Sequence, residues 1–171
     1  YSNFCGQDLT EKIFHNTNFS GANLAHTKME FTYLSTAIFH ETSFEEAYLA
    51  GSDFSGNSLK KVNFKGSNLY SVNLKNSDLT EADLQNADFT NANLENAVLT
   101  DAKIFGVDFT SAKTNGINMN GVDKEKTDDF YEKSNIGMLQ KYSNLSEKDF
   151  SNSKINNMDI SESKFHKIDF S

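Results

Sequence analysis

The stretch NSDLTEADLQNADFTNANLENAVLT, residues 76–100, decides the fold. Large apolar residues recur in it every five positions, each with a small residue two places before it: Leu79, Leu84, Phe89, Leu94 and Leu99. A helix repeats at about 3.6 residues and a strand alternates between its two sides, so neither element alone has this period. The chain must therefore combine short extended steps with turns at a fixed interval.

The same frame extends along most of the 171-residue chain. Steps of five from Phe4 to Met119 give 24 central positions, of which 11 are Leu and 9 are Phe. Chance would place about four Phe or Leu residues in these positions. The repeat is therefore genuine, and only Met29, Ile104, Thr114 and Met119 depart from Phe or Leu within it.

Neighbouring positions of each repeat indicate which side faces inward. The residue two before each centre is usually Ala, Ser, Thr or Val, and on extended backbone it points the same way as the centre. The residue between them points outward and is commonly Asn or Asp, and the two residues after the centre suit a turn. A chain with this pattern must wind around its own core as a solenoid of stacked coils.

Units such as ANLAH, ADLQN, ADFTN and ANLEN resemble the A(D/N)LXX unit of pentapeptide repeat proteins, and the match covers residues 2–121 and 143–171. The resemblance implies an all-β fold, a right-handed quadrilateral parallel β-helix with four pentapeptides per coil. The 30 pentapeptides of the two frames would then form about 7.5 coils.

The register is interrupted once. It fails after Met119 and returns at Leu145, displaced by one residue. We therefore predict a β-helix over residues 1–124, an insertion over residues 125–142 and a continuing β-helix in the shifted frame over residues 143–171.

The insertion is predicted to be a loop, with a short helix carrying Phe130 and Tyr131 as one form it could take. Two interpretations stay open from the sequence. The loop could contact a partner, as loops on rigid scaffolds often do. Alternatively, its apolar residues could cover one face of the solenoid.

Charge and composition exclude several kinds of partner. The chain has 16 basic and 24 acidic residues, a net charge of -8, which disfavours direct binding to nucleic acid or to an anionic membrane surface. We expect no membrane span, since no apolar run is long enough. The single cysteine, Cys5, excludes an intramolecular disulfide and fits a cytoplasmic location.

Residues that could carry chemistry do not converge in the predicted fold. The four histidines fall on different faces or coils, Cys5 lies outward with no histidine near it, and the outward carboxylates Asp78, Asp83 and Asp88 radiate. We therefore predict no catalytic residues, no cofactor and no metal site. The protein is expected not to be an enzyme.

Exposed aromatic residues are the candidate site. The frame places Phe31, Tyr48 and Tyr70 on the face of Leu49, with Tyr33 just around the next corner. Polar residues usually occupy these positions, so the four aromatics predict a partner-binding patch. The alternative is an aromatic ladder that only stabilises the face. Together with the insertion, the candidate contact residues are Phe31, Tyr33, Tyr48, Tyr70, Phe130 and Tyr131.

The leading functional hypothesis is a non-enzymatic interaction or scaffold module that presents a rigid rod to a protein partner of unknown identity. The resemblance suggests an alternative, since some pentapeptide repeat proteins mimic duplex DNA and bind type II topoisomerases such as gyrase, protecting or inhibiting them. A third hypothesis is the β-helical domain of a larger secreted bacterial effector. The oligomeric state is left open.

Overall fold

Parallel pairing between residues 20 positions apart builds the fold. The computed structural model describes residues 2–122, so the predicted insertion with Phe130 and Tyr131, and the second frame over residues 143–171, lie outside the described residues. Within them, the residue before each centre forms a single parallel β-bridge with the residue 20 places later, from Asn3↔Asn23 to Val98↔Asn118. Twenty residues hold four pentapeptides, so each coil has four sides.

Six coils fit within residues 2–121, at 20 residues per coil. We number them 1 to 6, as residues 2–21, 22–41, 42–61, 62–81, 82–101 and 102–121. We name the sides faces A to D in chain order, so that the centres of coil 3 on them are Phe44, Leu49, Phe54 and Leu59. Among the described residues, strands are reduced to single bridging residues and every connection is a turn.

A regular pentapeptide donates three backbone hydrogen bonds to its neighbouring coils, one of them from its second turn residue, as Glu81 N does to Thr100 O at 2.9 Å. The N–H of a centre donates to the coil that follows, as Leu79 N does to Val98 O at 2.7 Å. The N–H of the outward residue donates to the coil before it, as Val98 N does to Ser77 O at 2.9 Å. Because these bonds run along the axis, each coil is held by the coils that flank it.

Centres and small residues fill the interior. From Phe19 to Phe109 the centres are almost completely buried, and each contributes roughly 1.5 to 3 kcal/mol. Phenylalanines one coil apart stack with nearly parallel rings, with centroids 5.1 Å apart for Phe44 and Phe64 and 5.3 Å apart for Phe89 and Phe109. The core is thus a set of side-chain columns parallel to the axis.

A turn follows each centre. Its closing bond runs from the N–H of the small residue to the carbonyl of the centre three places earlier, as in Ala82 N to Leu79 O at 3.0 Å. The second residue after the centre has positive φ at 23 of the 24 described positions, which is the requirement of a type II turn. Glycine adopts this conformation freely, and Asn and Asp adopt it more readily than most other residues.

Outward Asn and Asp residues stabilise these turns. All 14 of them in the bridging position accept a hydrogen bond from the backbone N–H two residues later, as Asp88 does from Thr90 at 2.8 Å. This bond defines an Asx turn. The preference for Asn and Asp at this position therefore has a structural cause beyond solubility.

Thr36 is the one residue at its turn position without positive φ among the described residues. A β-branched side chain fits the left-handed region poorly, so this turn takes another form. The hydroxyl of Thr36 then accepts the hydrogen bond of Asn16 N at 3.1 Å, a bond that carbonyl oxygens accept at the neighbouring turns. The substitution preserves the link between coils 1 and 2.

The bridge ladder has one gap within residues 2–122, between Ile38 and Ser58 on face D. Asn57 occupies the small inward position there, is 5% exposed, and donates its side-chain N–H to Ala37 O at 2.8 Å. Its Oδ1 has no hydrogen-bond partner. A side chain thus replaces part of the backbone pairing between coils 2 and 3.

Glycine is required at some turn positions by the coil before it. At Gly106 (φ +72°), an added Cβ would overlap Oδ1 of Asn86, one coil earlier. At Gly56 (φ +71°), an added Cβ would meet nothing within 4 Å. Alanine substitutions at these two glycines therefore distinguish the cost of backbone strain alone from the cost of strain with steric overlap.

We expect Gly56→Ala to lower the free energy of unfolding by about 1 kcal/mol, from backbone strain alone. Gly106→Ala should cost about 1 kcal/mol or more in addition, because Asn86 must move. Chemical denaturation of both variants measures the difference. In the double variant Asn86→Gly/Gly106→Ala the additional cost should disappear, and equal costs for the two single alanine variants would contradict the packing argument.

Candidate functional site

Large apolar side chains lie on the outside of the rod at seven described positions. They are Ile13, Phe31, Tyr33, Ile38, Tyr48, Tyr70 and Phe105. Four of these are the aromatics singled out in the sequence, and they are 45% to 61% exposed. The sequence reasoning did not single out Ile13, Ile38 and Phe105, although each occupies an outward position of the frame.

The four aromatics lie around the corner between faces B and C, and we call Phe31, Tyr33, Tyr48 and Tyr70 the aromatic surface. On face B, Tyr48 forms backbone β-bridges with Lys28 on the coil before and with Asn68 on the coil after. Tyr33 bridges Ile13 and Asp53 on face C, so Ile13 extends the apolar area by one coil.

Phe31 is held at the corner itself. It has a positive φ of 55°, and its ring covers Gly51 of the next coil, where an added Cβ would lie 2.6 Å from Cδ1. Left-handed backbone costs a bulky residue roughly 1–2 kcal/mol. Residue 51 must therefore be glycine for the Phe31 ring to rest where it does.

The exposed apolar residues displace a stabilising interaction. Ile13, Tyr33, Ile38 and Tyr48 occupy bridging positions at which Asn or Asp would accept the Asx-turn hydrogen bond. Such a bond contributes about 1 kcal/mol. The four turns therefore lack the Asx-turn hydrogen bond, and the four side chains expose apolar surface to water.

The rings of the aromatic surface do not form a ladder. Within residues 2–122, none of the close ring pairs joins two of its four members, and the pairs found link core phenylalanines. The alternative of a purely stabilising aromatic stack thus lacks the contacts that it requires.

Ala50 lies at the middle of this surface. On its own coil it is flanked by Tyr48 and by Gly51, which the Phe31 ring covers. Glu30 and Tyr70 occupy the same position on the preceding and following coils, as the backbone bonds Phe31 N to Ala50 O and Gly51 N to Tyr70 O show. The positions next to Ala50 are thus occupied by larger residues, three of them aromatic and one a carboxylate.

A shallow groove of about 360 Å³ lies beside Tyr48, at the corner of faces A and B. His26 and Glu46 line it, with Nδ1 and Oε2 3.4 Å apart. Lys65 lines its other side and approaches Glu45 at 3.8 Å. The sequence analysis did not find this groove, because its residues come from four different coils.

Groups that could support catalysis or metal binding are dispersed in the described part of the chain. Cys5 is exposed, and His15, His26 and His40 lie exposed at separate positions. Within residues 2–122, the His, Cys, Asp and Glu side chains form no group of three or more that could hold a metal ion. The described residues contain no helix with the length and apolar character needed to span a membrane.

Comparison with protein families agrees with this repeat geometry. Residues 37–128 match the model of the pentapeptide repeat region, and residues 1–35 match the model of eight-copy pentapeptide repeats. The chain belongs to the pentapeptide repeat family. This membership confirms the resemblance found in the sequence and the β-helical scaffold that it implies, a right-handed quadrilateral β-helix.

Solved pentapeptide repeat proteins are similar in structure. HetL of the cyanobacterium Nostoc, described as involved in heterocyst differentiation regulation, is 26% identical, with 70% of this chain and 58% of HetL covered and a TM-score of 0.46. Rfr23 of Cyanothece is 23% identical, with 71% and 88% covered and a TM-score of 0.44. A thylakoid lumen protein of Arabidopsis thaliana is 25% identical, with 75% and 77% covered and a TM-score of 0.43.

The chain spans less than two thirds of the length of HetL. The search of curated proteins found no match.

The pentapeptide repeat rod carries a second kind of surface on its later coils, where carboxylates and lysines pair between neighbouring coils. Asp83 Oδ2 lies 3.0 Å from Lys103 Nζ, and Glu95 Oε2 lies 2.9 Å from Lys75 Nζ. Hydrogen bonding by Lys75 lowers the pKa of Glu95. These acidic residues are thus partly neutralised.

Asp78 combines a lysine ion pair with hydrogen bonds from its own turn. Partial burial alone would raise its pKa, but hydrogen bonds from Thr80 and Lys60 outweigh burial, so the pKa of Asp78 lies below its ordinary value of 3.8. The carboxylate is 3.1 Å from Lys60 Nζ. Because the pKa is lower in the folded state, the stabilisation is present above about pH 4 and is lost as the pH falls through the folded-state pKa.

We expect Asp78→Asn to reduce stability at pH 6 by at most about 1 kcal/mol, since Lys60 is exposed and the amide can still accept the Thr80 N–H bond. The deficit relative to the parent should shrink as the pH falls from about 5 to 2, because the parent's carboxylate becomes protonated. Thermal unfolding across this range measures it. Asp88→Asn, with the same turn bond but no ion pair, is the control, and a deficit that grows towards acid would contradict the assignment.

Proposed function

We propose that this pentapeptide repeat protein is a non-enzymatic interaction module that binds a protein partner through the aromatic surface. One observation carries the proposal. Four half-exposed aromatic side chains make no ring contacts with each other, and two of them, Tyr33 and Tyr48, stand where Asn or Asp would stabilise the turn. Aromatic residues are enriched at protein interfaces because they bury large area with little loss of side-chain freedom.

The rod is suited to this role because its faces are fixed in space. The bonds between coils and the stacked phenylalanines hold the backbone beneath Tyr48 and Tyr70, and the interior of the described coils is occupied by buried centres. A preorganised surface loses little conformational entropy when a partner binds.

The alternative of a DNA mimic that binds a type II topoisomerase has less support. A mimic of the phosphate backbone needs carboxylates that present uncompensated charge. On the later coils Asp78, Asp83 and Glu95 instead pair with lysines one coil away. We therefore place this alternative second.

Three further features belong to the proposal. We infer that the rod continues to about 7.5 coils, that the insertion over residues 125–142 interrupts it, and that Phe130 and Tyr131 add to the contact surface. A cytoplasmic location fits the single cysteine. The hypothesis of a larger secreted effector stays a prediction of the sequence.

We expect the double variant Tyr48→Ser/Tyr70→Ser to unfold within about 1 kcal/mol of the parent, since both side chains are half exposed and lack ring partners. Capture of the partner by the immobilised protein from an extract of the source organism should fall at least about fivefold, quantified by mass spectrometry. Thr90→Ser/Thr110→Ser, at the positions that follow Tyr70 on the next two coils, is the control. Lost stability with unchanged capture would contradict the contact role.

A further inference from the structure

We infer that the recess at Ala50 binds the cationic head of a lysine or arginine side chain from the partner. The inference rests on the proposed function and makes the partner's contacting segment basic. The backbone register places Glu30 and Tyr70 at the position of Ala50 on the two neighbouring coils, and the Phe31 ring covers the adjacent Gly51. Aromatic faces attract ammonium and guanidinium groups through their quadrupole, and a carboxylate supplies the opposite charge.

The geometry follows from stacking. Neighbouring coils are separated by about 4.8 Å, so Glu30 and Tyr70 stand one coil spacing on either side of Ala50. Tyr48 precedes Ala50 by two residues, and the Phe31 ring lies over Gly51, the next residue. The side chain of Ala50 is a single methyl group, and the residues on its four sides are larger. These neighbours leave a depression over the methyl group.

Four carboxylates on coils 1 to 3, beside the corner of faces B and C, have charge available for a ligand. Asp8, Glu11, Glu30 and Asp53 take part in none of the ion pairs among residues 2–122. Glu30 and Asp53 do accept hydrogen bonds, from Thr10 Oγ1 at 3.2 Å and from Asn73 Nδ2 at 3.0 Å, which orient them without neutralising them.

Lysines near the aromatic surface only partly offset this charge. Lys28 lies beside Tyr48 on face B, and Lys28 and Lys12 help to lower the pKa of Asp8, after the hydrogen bonds from Thr10. Two lysines against four carboxylates leave the area net negative. On the later coils Asp78, Glu81, Asp83 and Glu95 already have lysine partners, whereas Asp88 and Asp101 take part in none of the ion pairs of the described coils. Charge complementarity therefore favours a basic segment at this surface.

The test is an NMR titration of the isotopically labelled full chain with an acetylated tetra-arginine peptide, and with a tetra-citrulline peptide as its neutral counterpart. We expect tetra-arginine to shift the amide signals of Ala50, Gly51 and Ser71 most. Ala50→Leu, which fills the recess, should weaken binding at least about fivefold, and Glu30→Gln about threefold.

Two variants separate specific from general attraction. Ala25→Leu places the same side chain at the equivalent position of face A and should change affinity less than twofold, as should Glu81→Gln, which removes the same charge elsewhere. Equal weakening by Glu30→Gln and Glu81→Gln, or unchanged binding by Ala50→Leu, would overturn the inference.

The outcomes distinguish this inference from the proposed function. If Tyr48→Ser/Tyr70→Ser abolishes partner capture while tetra-arginine and tetra-citrulline bind alike, the cationic ligand is wrong and the interaction surface stands. If tetra-arginine binds at Ala50 but Tyr48→Ser/Tyr70→Ser captures the partner as well as the parent does, the recess stands and the proposed function fails.

Discussion

The parallel bridge between residues 20 positions apart is the interaction on which the rest of the structure depends. A single coil of this kind has few contacts within itself, because its turn bonds span only three residues and its centres would be open to water. Stacking supplies both the backbone bonds and the cover for the centres. Buried area and hydrogen bonding therefore increase together as each coil is added.

The same constraint divides the residues into two groups with different freedom. Inward positions must be small or must be apolar side chains that pack on the coil before, as Phe64 packs on Phe44. Outward positions contribute chiefly the Asx-turn bond, so they tolerate change at a cost of about 1 kcal/mol. Binding can consequently be built on outward positions without disturbing the core, and the aromatic surface is built in this way.

Much of this organisation could be predicted from the sequence, because a five-residue period fixes the direction of each side chain. The centres, the small inward residues, the turns and the positions of Phe31, Tyr33, Tyr48 and Tyr70 all follow from it. The Asx-turn bonds were also within reach, since Asn and Asp are frequent at one position and can bond the backbone two residues on.

Features that depend on contacts between coils were harder to predict. The recess at Ala50 joins Glu30, Tyr48 and Tyr70, which become neighbours only when the chain is written in rows of 20 residues. The lysine pairs with Asp83 and Glu95 have the same origin.

Other features arise where one side chain competes with the regular backbone pairing, and the five-residue period does not indicate such sites. Thr36 departs from positive φ because its side chain is β-branched, and Asn57 uses its amide in place of the Ile38–Ser58 bridge. In each case one side chain changes the backbone pairing at a single corner of the rod.

A disulfide-trapping experiment tests the pairing rule most directly. In a Cys5→Ser background, Asn63→Cys/Asp83→Cys places cysteines on bridged residues, whose Cα separation of about 4.8 Å lies within the range that a disulfide spans. Asn63→Cys/Asp78→Cys places them on different faces. Mass spectrometry after mild oxidation should show an intramolecular disulfide in the first variant and free thiols in the second. Equal oxidation of both, or a disulfide only in the second, would contradict the account.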